Sequence, residues 1–267
     1  MKKTVLWFVL AVCCILVPTL ANAQTVANKQ QVLGQARKAY YNLKDEGLVD
    51  FACSVTPNWE TLLAKEREAN PERVDAAIKT LSQLQFNASL GTDGKVKLTH
   101  NELSGQNEKT KNELRQIYSG MEQMASEVFA TWSMFMLHPF PEVTSEYQLE
   151  APPREYRLSY KDGTASIVTT MGRDFVITNL QATTPQSESS TYQPRFTKNS
   201  KGFLFSSYDS SYKSASPDDA TQLSVLIEYQ EVSGLQIIKQ LNLTGTHGGS
   251  PVAVELGFSN CKVTKKP

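Results

Sequence analysis

The chain has 267 residues, 27 basic and 27 acidic side chains, and 40% apolar residues. Balanced charge argues against the basic surplus that nucleic-acid binding draws on and against a disordered or calcium-loading acidic tail. The length suffices for one large domain or two small ones with a sizeable core.

Residues 1–23 read as an export signal. Lys2 and Lys3 form its basic start, Val5 to Val17 its apolar run, and Ala21-Asn22-Ala23 a small-x-small cleavage site before Gln24. This predicts a periplasmic or secreted protein whose mature chain starts at Gln24. Acylation at Cys13 fits less well, because Val12 stands where a small residue is preferred. An anchor fits less well too: the apolar run breaks at Pro18, and no other span of about 20 apolar residues follows. No transmembrane anchor is therefore expected after cleavage.

Asn28 to Lys44 repeats apolar residues at helical spacing, through Val32, Leu33, Ala36, Ala39, Tyr40 and Leu43. Leu48 to Val55 alternates as a strand, and Pro57-Asn58 opens a short helix through Trp59, Leu62 and Leu63. Asn70-Pro71 is a helix start by its chemistry, a capping side chain followed by proline at the first helical position, with Val74, Ala77, Ile78 and Leu81 as the buried stripe. Phe86 to Leu90 and Val96 to Leu98 flank Thr92-Asp93-Gly94-Lys95, a hairpin with the Asp-Gly turn. Asn101 to Lys111 is polar and charged and reads as a flexible joint.

Asn112 to Leu137 is the most conspicuous stretch. Leu114, Ile117, Tyr118, Met121, Met124, Ala125, Val128, Phe129, Trp132, Phe135 and Met136 share one helical arc, and Gln123 and Glu127 lie opposite, facing water. In the last two turns Ala130, Met134 and Leu137 fall on the polar side, so this end is apolar nearly all round before His138-Pro139 stops it. Something must cover it. Core packing is the plain reading of such a stripe. The functional one makes Met121, Met124, Phe129, Trp132, Met134, Phe135, Met136 and Leu137 the adaptable lining or lid of a cavity for an apolar ligand.

From Glu155 the chain turns to strands with one apolar face: Tyr156 to Tyr160, Ala165 to Thr170, Phe175 to Leu180, Tyr192 to Phe196, Phe203 to Tyr208, Leu223 to Tyr229, Leu235 to Leu243 and a last one after Pro251. Gln181 to Ser190 and Asp209 to Asp219 read as polar loops. The expected fold is therefore α+β: a curved antiparallel sheet, an incomplete barrel, packed against N-terminal and inserted helices including the long one. Residues 24–267 are expected to form a single domain, helix-rich over 24–141 and strand-rich over 150–264.

With Cys13 and Cys14 removed in the signal, Cys53 and Cys261 remain, and a lone pair in an oxidising compartment favours a disulfide. The chain-entropy model gives so long a loop roughly 4 to 5 kcal/mol. Two separate buried thiols are the alternative. Val49, Phe51, Cys53 and Val55 are in phase, but Cys261 is out of phase with Val252, Val254, Leu256 and Phe258 and faces the other side unless a bulge near Ser259-Asn260 intervenes.

No motif specifies a reaction. His100, His138 and His247 stand in unrelated contexts without ligand spacing, so no metal or cofactor is expected. Glu155, Asp162, Asp174, Asp218 and Asp219 sit at turns, where local hydrogen bonding accounts for them. The serines lack a nucleophile context. The glycines from Gly245 to Gly249 suit a hairpin better than a phosphate loop, and Asn87-Ala-Ser and Asn242-Leu-Thr lie in strands, where a glycosylation match is a chance one.

Tyr-x-Leu-x-Tyr-Lys-Asp-Gly at Tyr156 to Gly163, Lys201-Gly-Phe-Leu-Phe, Leu226-Ile-Glu-Tyr followed by Gly234-Leu, and Val254-Glu-Leu-Gly-Phe-Ser-Asn-Cys-Lys-Val occur in an order that resembles the periplasmic outer-membrane lipoprotein-carrier family and the mycobacterial lipid-binding lipoproteins of similar half-barrel shape. The likeness covers about the last hundred residues plus the N-terminal helix. The helices between Asn58 and Ala88 and the long helix depart from the carriers. The resemblance implies an incomplete barrel wrapped around helices with a hydrophobic cavity for lipid. The expected function is binding or carrying a lipid or acyl chain, with a lipid or lipid-modified protein as partner and neither nucleic acid nor catalysis. An envelope scaffold that docks a protein through the same surface is the alternative.

Overall fold

The computed structural model describes residues 29–105, 107–142, 146–185, 189–213 and 220–266. The expected signal peptide, Asp218 and Asp219 lie outside the described residues. The chain divides into two compact units, residues 1–39 and residues 40–267. In the first, residues 29–38 form helix α1.

The second unit is built on one open antiparallel sheet of twelve strands, in the order β3-β2-β1-β12-β11-β10-β9-β8-β7-β6-β5-β4. The strands are β1 (Leu48–Pro57), β2 (Phe86–Gly91), β3 (Val96–His100), β4 (Tyr147–Glu150), β5 (Glu155–Asp162), β6 (Ala165–Gly172), β7 (Ile177–Thr183), β8 (Ser189–Asn199), β9 (Gly202–Lys213), β10 (Thr221–Val232), β11 (Leu235–His247) and β12 (Ser250–Lys265). From β4 to β12 each strand pairs with the next in sequence. The last strand then pairs with the first, so the two ends of the sheet-forming chain meet inside the sheet. The edges β3 and β4 are joined through the chain by the long helix α5 (Glu108–Leu137). Three short helices, α2 (Trp59–Leu62), α3 (Ala64–Ala69) and α4 (Pro71–Leu81), connect β1 to β2. Asn58 and Asn70 cap α2 and α4 as their sequence contexts predict, and Pro71 opens α4.

Helix α5 starts a turn before Asn112: Asn107 caps it by accepting from the Thr110 N–H, so residues 108–111 are helical rather than a joint. Its apolar arc meets the inner face of the sheet. Phe129 touches Phe51 of β1 and Phe258 of β12, Trp132 touches Phe51, and Phe135 touches Phe205 of β9 and Phe196 of β8, with ring centroids 4.5–6.5 Å apart. On another side, Ser133 Oγ lies 3.0 Å from where a Cβ on Gly94 would stand, in the turn between β2 and β3. One short piece of helix thus reaches from that turn to β8. At a strand spacing of about 4.8 Å that is about 30 Å of sheet, against about 10–12 Å for a helix with its side chains. The sheet must curl around α5.

The predicted helix over Asn28 to Lys44 stops at residue 38. Beyond it the backbone finds partners elsewhere: Tyr40 bridges Phe203, Tyr41 N–H donates to the Phe203 carbonyl, and Leu43 N–H donates to the Met136 carbonyl at 2.9 Å. Asn42 Nδ2 donates to the Leu137 carbonyl at 3.0 Å. Two of the carbonyls that the end of α5 leaves open are satisfied in this way.

Other departures have local causes. A register shift between Leu48 and Asp50 turns Val49 out of phase, leaving it 37% exposed. Phe175, expected to begin a strand, sits in the preceding turn with φ 68°. β4 has only four residues and carried too little pattern to be read. Gln181 to Thr183, Ser189 and Ser190, and Asp209 to Lys213 are strand rather than loop, since main-chain ladders hold them whatever their side chains.

Cys53 and Cys261 are disulfide-bonded across β1 and β12, 208 positions apart. The bulge that this demands is present: Ala52 pairs with Lys262 but Ser54 with Ser259, and Asn260 takes φ 52°. The added residue rotates Cys261 toward Cys53.

Candidate functional site

Alternation and register assign the inner face of the sheet. Tyr208 meets α5 at Thr131, so its β9 neighbours two and four residues on, Ser210 and Tyr212, share that face. Directly opposite pairs carry the assignment across the sheet: Tyr192, Ser210, Leu223, Gly245 and Val252 form one row, and Tyr160, Ile167, Ala182, Ser190, Tyr212 and Thr221 another.

Deep in the curl the packing is dense. Trp132, Met136, Met171, Ile177, Val225 and Phe205 are all fully buried. Polar tips of buried aromatics are paired with main chain, as burial requires. Tyr40 Oη donates to the Phe175 carbonyl at 2.8 Å and accepts from Ile177 N–H at 2.7 Å. Tyr41 Oη accepts from Gln236 N–H at 3.0 Å. Trp132 Nε1 donates to Tyr229 Oη, which donates to the Phe205 carbonyl. Burial raises the pKa of Tyr40, Tyr208 and Tyr229 above the usual phenol value, and pushes Tyr160 up to about 12, with Asp162 adding to the shift.

Farther along the strands the same face is less covered. Tyr192, Ser210, Tyr212, Leu223 and Val252 are half-buried. Thr169, fully buried between Leu158 and Leu180, has no good hydrogen bond for its hydroxyl, although it lies by the Tyr160 phenol. The inner face is therefore continuous: a packed floor against α5 and a half-open ledge of tyrosine, leucine and valine beyond it.

The eight residues read from the sequence divide between these zones. Met121, Phe129, Trp132, Phe135, Met136 and Leu137 are buried, whereas Met124 and Met134 are half-buried. Ala130 is exposed, and Gln123 and Glu127 face water, joined by a hydrogen bond at 3.1 Å. The ledge residues were not singled out in the sequence. Tyr208-x-Ser210-x-Tyr212 keeps strand phase, but its serines and the following polar run disguise it.

The histidines are apart: His100 stacks on Tyr118 with ring centroids 3.6 Å apart, His138 Nε2 is 3.2 Å from the Thr92 carbonyl, and His247 Nδ1 is 2.8 Å from Thr221 Oγ1. Among the described residues, no group of three His, Cys, Asp or Glu side chains could hold a metal ion, and no helix is long and apolar enough to cross a membrane. Compared with known protein families, characterised proteins and solved structures, the chain matches none.

Proposed function

We propose that this protein is exported and binds an apolar ligand, a lipid or an acyl chain, including that of a lipid-modified protein, between the curved sheet and α5. The observation that carries the reading is the ledge: the apolar inner face outruns its cover, leaving Tyr192, Leu223 and Val252 half-buried beside a fully packed floor. Such a surface suits a chain that lies along the sheet with its tail toward α5. Met124 and Met134, flexible and half-buried, supply the adaptable contacts at the helix. The six buried residues of α5 form the wall that a longer chain would reach by shifting the helix.

Mass spectrometry of lipids extracted from protein purified out of a bacterial envelope, together with displacement of a fluorescent fatty-acid probe, tests this reading. Co-purified lipid and saturable probe binding are expected. A protein that is consistently lipid-free and does not bind the probe would remove the proposal. A stable protein complex that is lost on Met134→Glu, with no lipid, would favour a docking scaffold instead.

A further inference from the structure

We propose that the opposite, outer face of β7 to β11 carries a second site, for a neutral oligosaccharide. It rests on the side chains that alternate with those of the apolar ledge, while Ser210, Leu223 and Gly245 of the inner rows also border the larger groove. Two concavities of about 240 and 380 Å³ lie on this face and share Thr191 and Ser211, so they run together as one groove across β7 to β11. The larger falls within the usual range for small-molecule clefts, about 300–1,000 Å³.

The register lays out its polar groups as a ladder. Gln193, Asp209, Ser224 and Thr244 stand opposite one another on β8, β9, β10 and β11, and Ser211 and Gln222 stand opposite each other two residues along. Hydroxyls and carboxamides both donate and accept, as sugar hydroxyls do. Charge in the middle of the ladder is already matched: Arg195 forms an ion pair with Asp209, and together with Ser224 it holds the Asp209 carboxyl below the usual carboxylate value. The carboxylate stays ionised as an acceptor without creating a net field for cations, and Lys213 lies at the end of the groove. Neither an anion nor a cation is selected.

One further feature fits a sugar chain. Leu226, two residues from Ser224 on the same face, is 50% exposed, an apolar surface for the C–H side of a pyranose ring. An extended peptide would instead need pockets for alternate side chains, and this groove is a shallow run of short polar groups.

The test is calorimetric titration of the protein with neutral gluco-, manno-, xylo- and chito-tetrasaccharides. At least one series is expected to bind with a Kd of about 1 mM or tighter. The double substitution Gln193→Ala/Gln222→Ala, at two exposed positions, should weaken it by about tenfold or more with thermal unfolding unchanged. Should that variant fail to fold, Thr244→Lys, which places a long side chain in the groove from an exposed position, should have the same effect. Absence of binding by every neutral series overturns the proposal. So does binding that survives both variants, or binding seen only with charged oligosaccharides. Loss of binding on Leu223→Arg alone would place the sugar on the inner face and also overturn it. Acyl-probe binding by the outer-face variants should remain at the level of the unmodified protein, which separates failure here from failure of the apolar-ligand reading.

Discussion

The indole N–H of Trp132 donates to the Tyr229 hydroxyl at 3.0 Å, and that hydroxyl in turn donates to the Phe205 carbonyl. Three elements, α5, β10 and β9, are pinned through one oxygen. Tyr229→Phe leaves the buried Trp132 N–H and the Phe205 carbonyl without this partner, so a loss of about 1–3 kcal/mol is expected from urea denaturation. In a double-mutant cycle with Trp132→Phe, the paired loss should fall short of the sum of the single losses by about 0.5–3 kcal/mol. Additive losses would mean that the helix is held there by packing alone.

What the sequence disclosed and what it concealed follow from the same physics. The helix Pro71–Leu81, the β2–β3 hairpin and the apolar arc of α5 announce themselves because caps, turn residues and 3.6-residue spacing are local signals. The disulfide was legible as a pair, and the phase mismatch of Cys261 named the bulge near Ser259-Asn260 that it needs; that the bulge forms, with Asn260 at positive φ, shows only in the register of β12 against β1. The pairing of β12 with β1 is non-local and has no sequence signature. Nor have the half-buried ledge at Tyr192, Tyr212 and Val252 and the outer groove, because strand ends such as Ser210-Ser211 resemble loops. They become a face only when register aligns them with their neighbours.

Alkali should unfold the protein through its buried phenols. Burial raises the folded-state pKa of Tyr40, Tyr160, Tyr208 and Tyr229 above the unfolded value of about 10, so the folded state holds protons that the unfolded state releases. Their contribution is complete below about pH 10 and is lost as pH rises above it, for Tyr160 through about 12. Tyrosinate absorbance followed with near-ultraviolet circular dichroism should show these tyrosines ionising together with the loss of tertiary structure. Free ionisation of all ten tyrosines in a still-folded protein near pH 10 would contradict the buried hydrogen bonds.

The Cys53–Cys261 bond joins β1 and β12, the first and last strands in sequence, which are neighbours inside the sheet. Reduction, or Cys53→Ser with Cys261→Ser, is expected to cost about 2–5 kcal/mol in chemical denaturation. Asn260 sits at φ 52°, a region that glycine and asparagine tolerate and β-branched residues do not. Asn260→Gly should therefore be near neutral, and Asn260→Val should lose about 1–2 kcal/mol. It should also leave more free thiol after oxidative refolding, because a straightened strand would return Cys261 to the far side. Equal thiol titres in the two variants would mean that the bulge survives without its preferred residue.

The buried and half-buried parts of the inner face should respond oppositely to substitution. Phe135 is buried against Phe205 and Phe196, so Phe135→Ala opens a cavity and should cost about 3–5 kcal/mol of stability. Leu223 on the ledge is half-buried, and an arginine there can lay its stem on the sheet and direct its head to water. Leu223→Arg should accordingly keep the melting temperature within a few degrees, since about 1 kcal/mol corresponds to about 2–4 °C at this size. Yet it places a charge where the acyl chain would lie, so fatty-acid probe binding should fall by about tenfold or more, while Phe135→Ala, measured below its lowered melting point, should retain it. If Leu223→Arg binds the probe like the unmodified protein and Phe135→Ala does not, the ligand enters the packed floor and α5 must lift to admit it. The ledge would then be the threshold of the site.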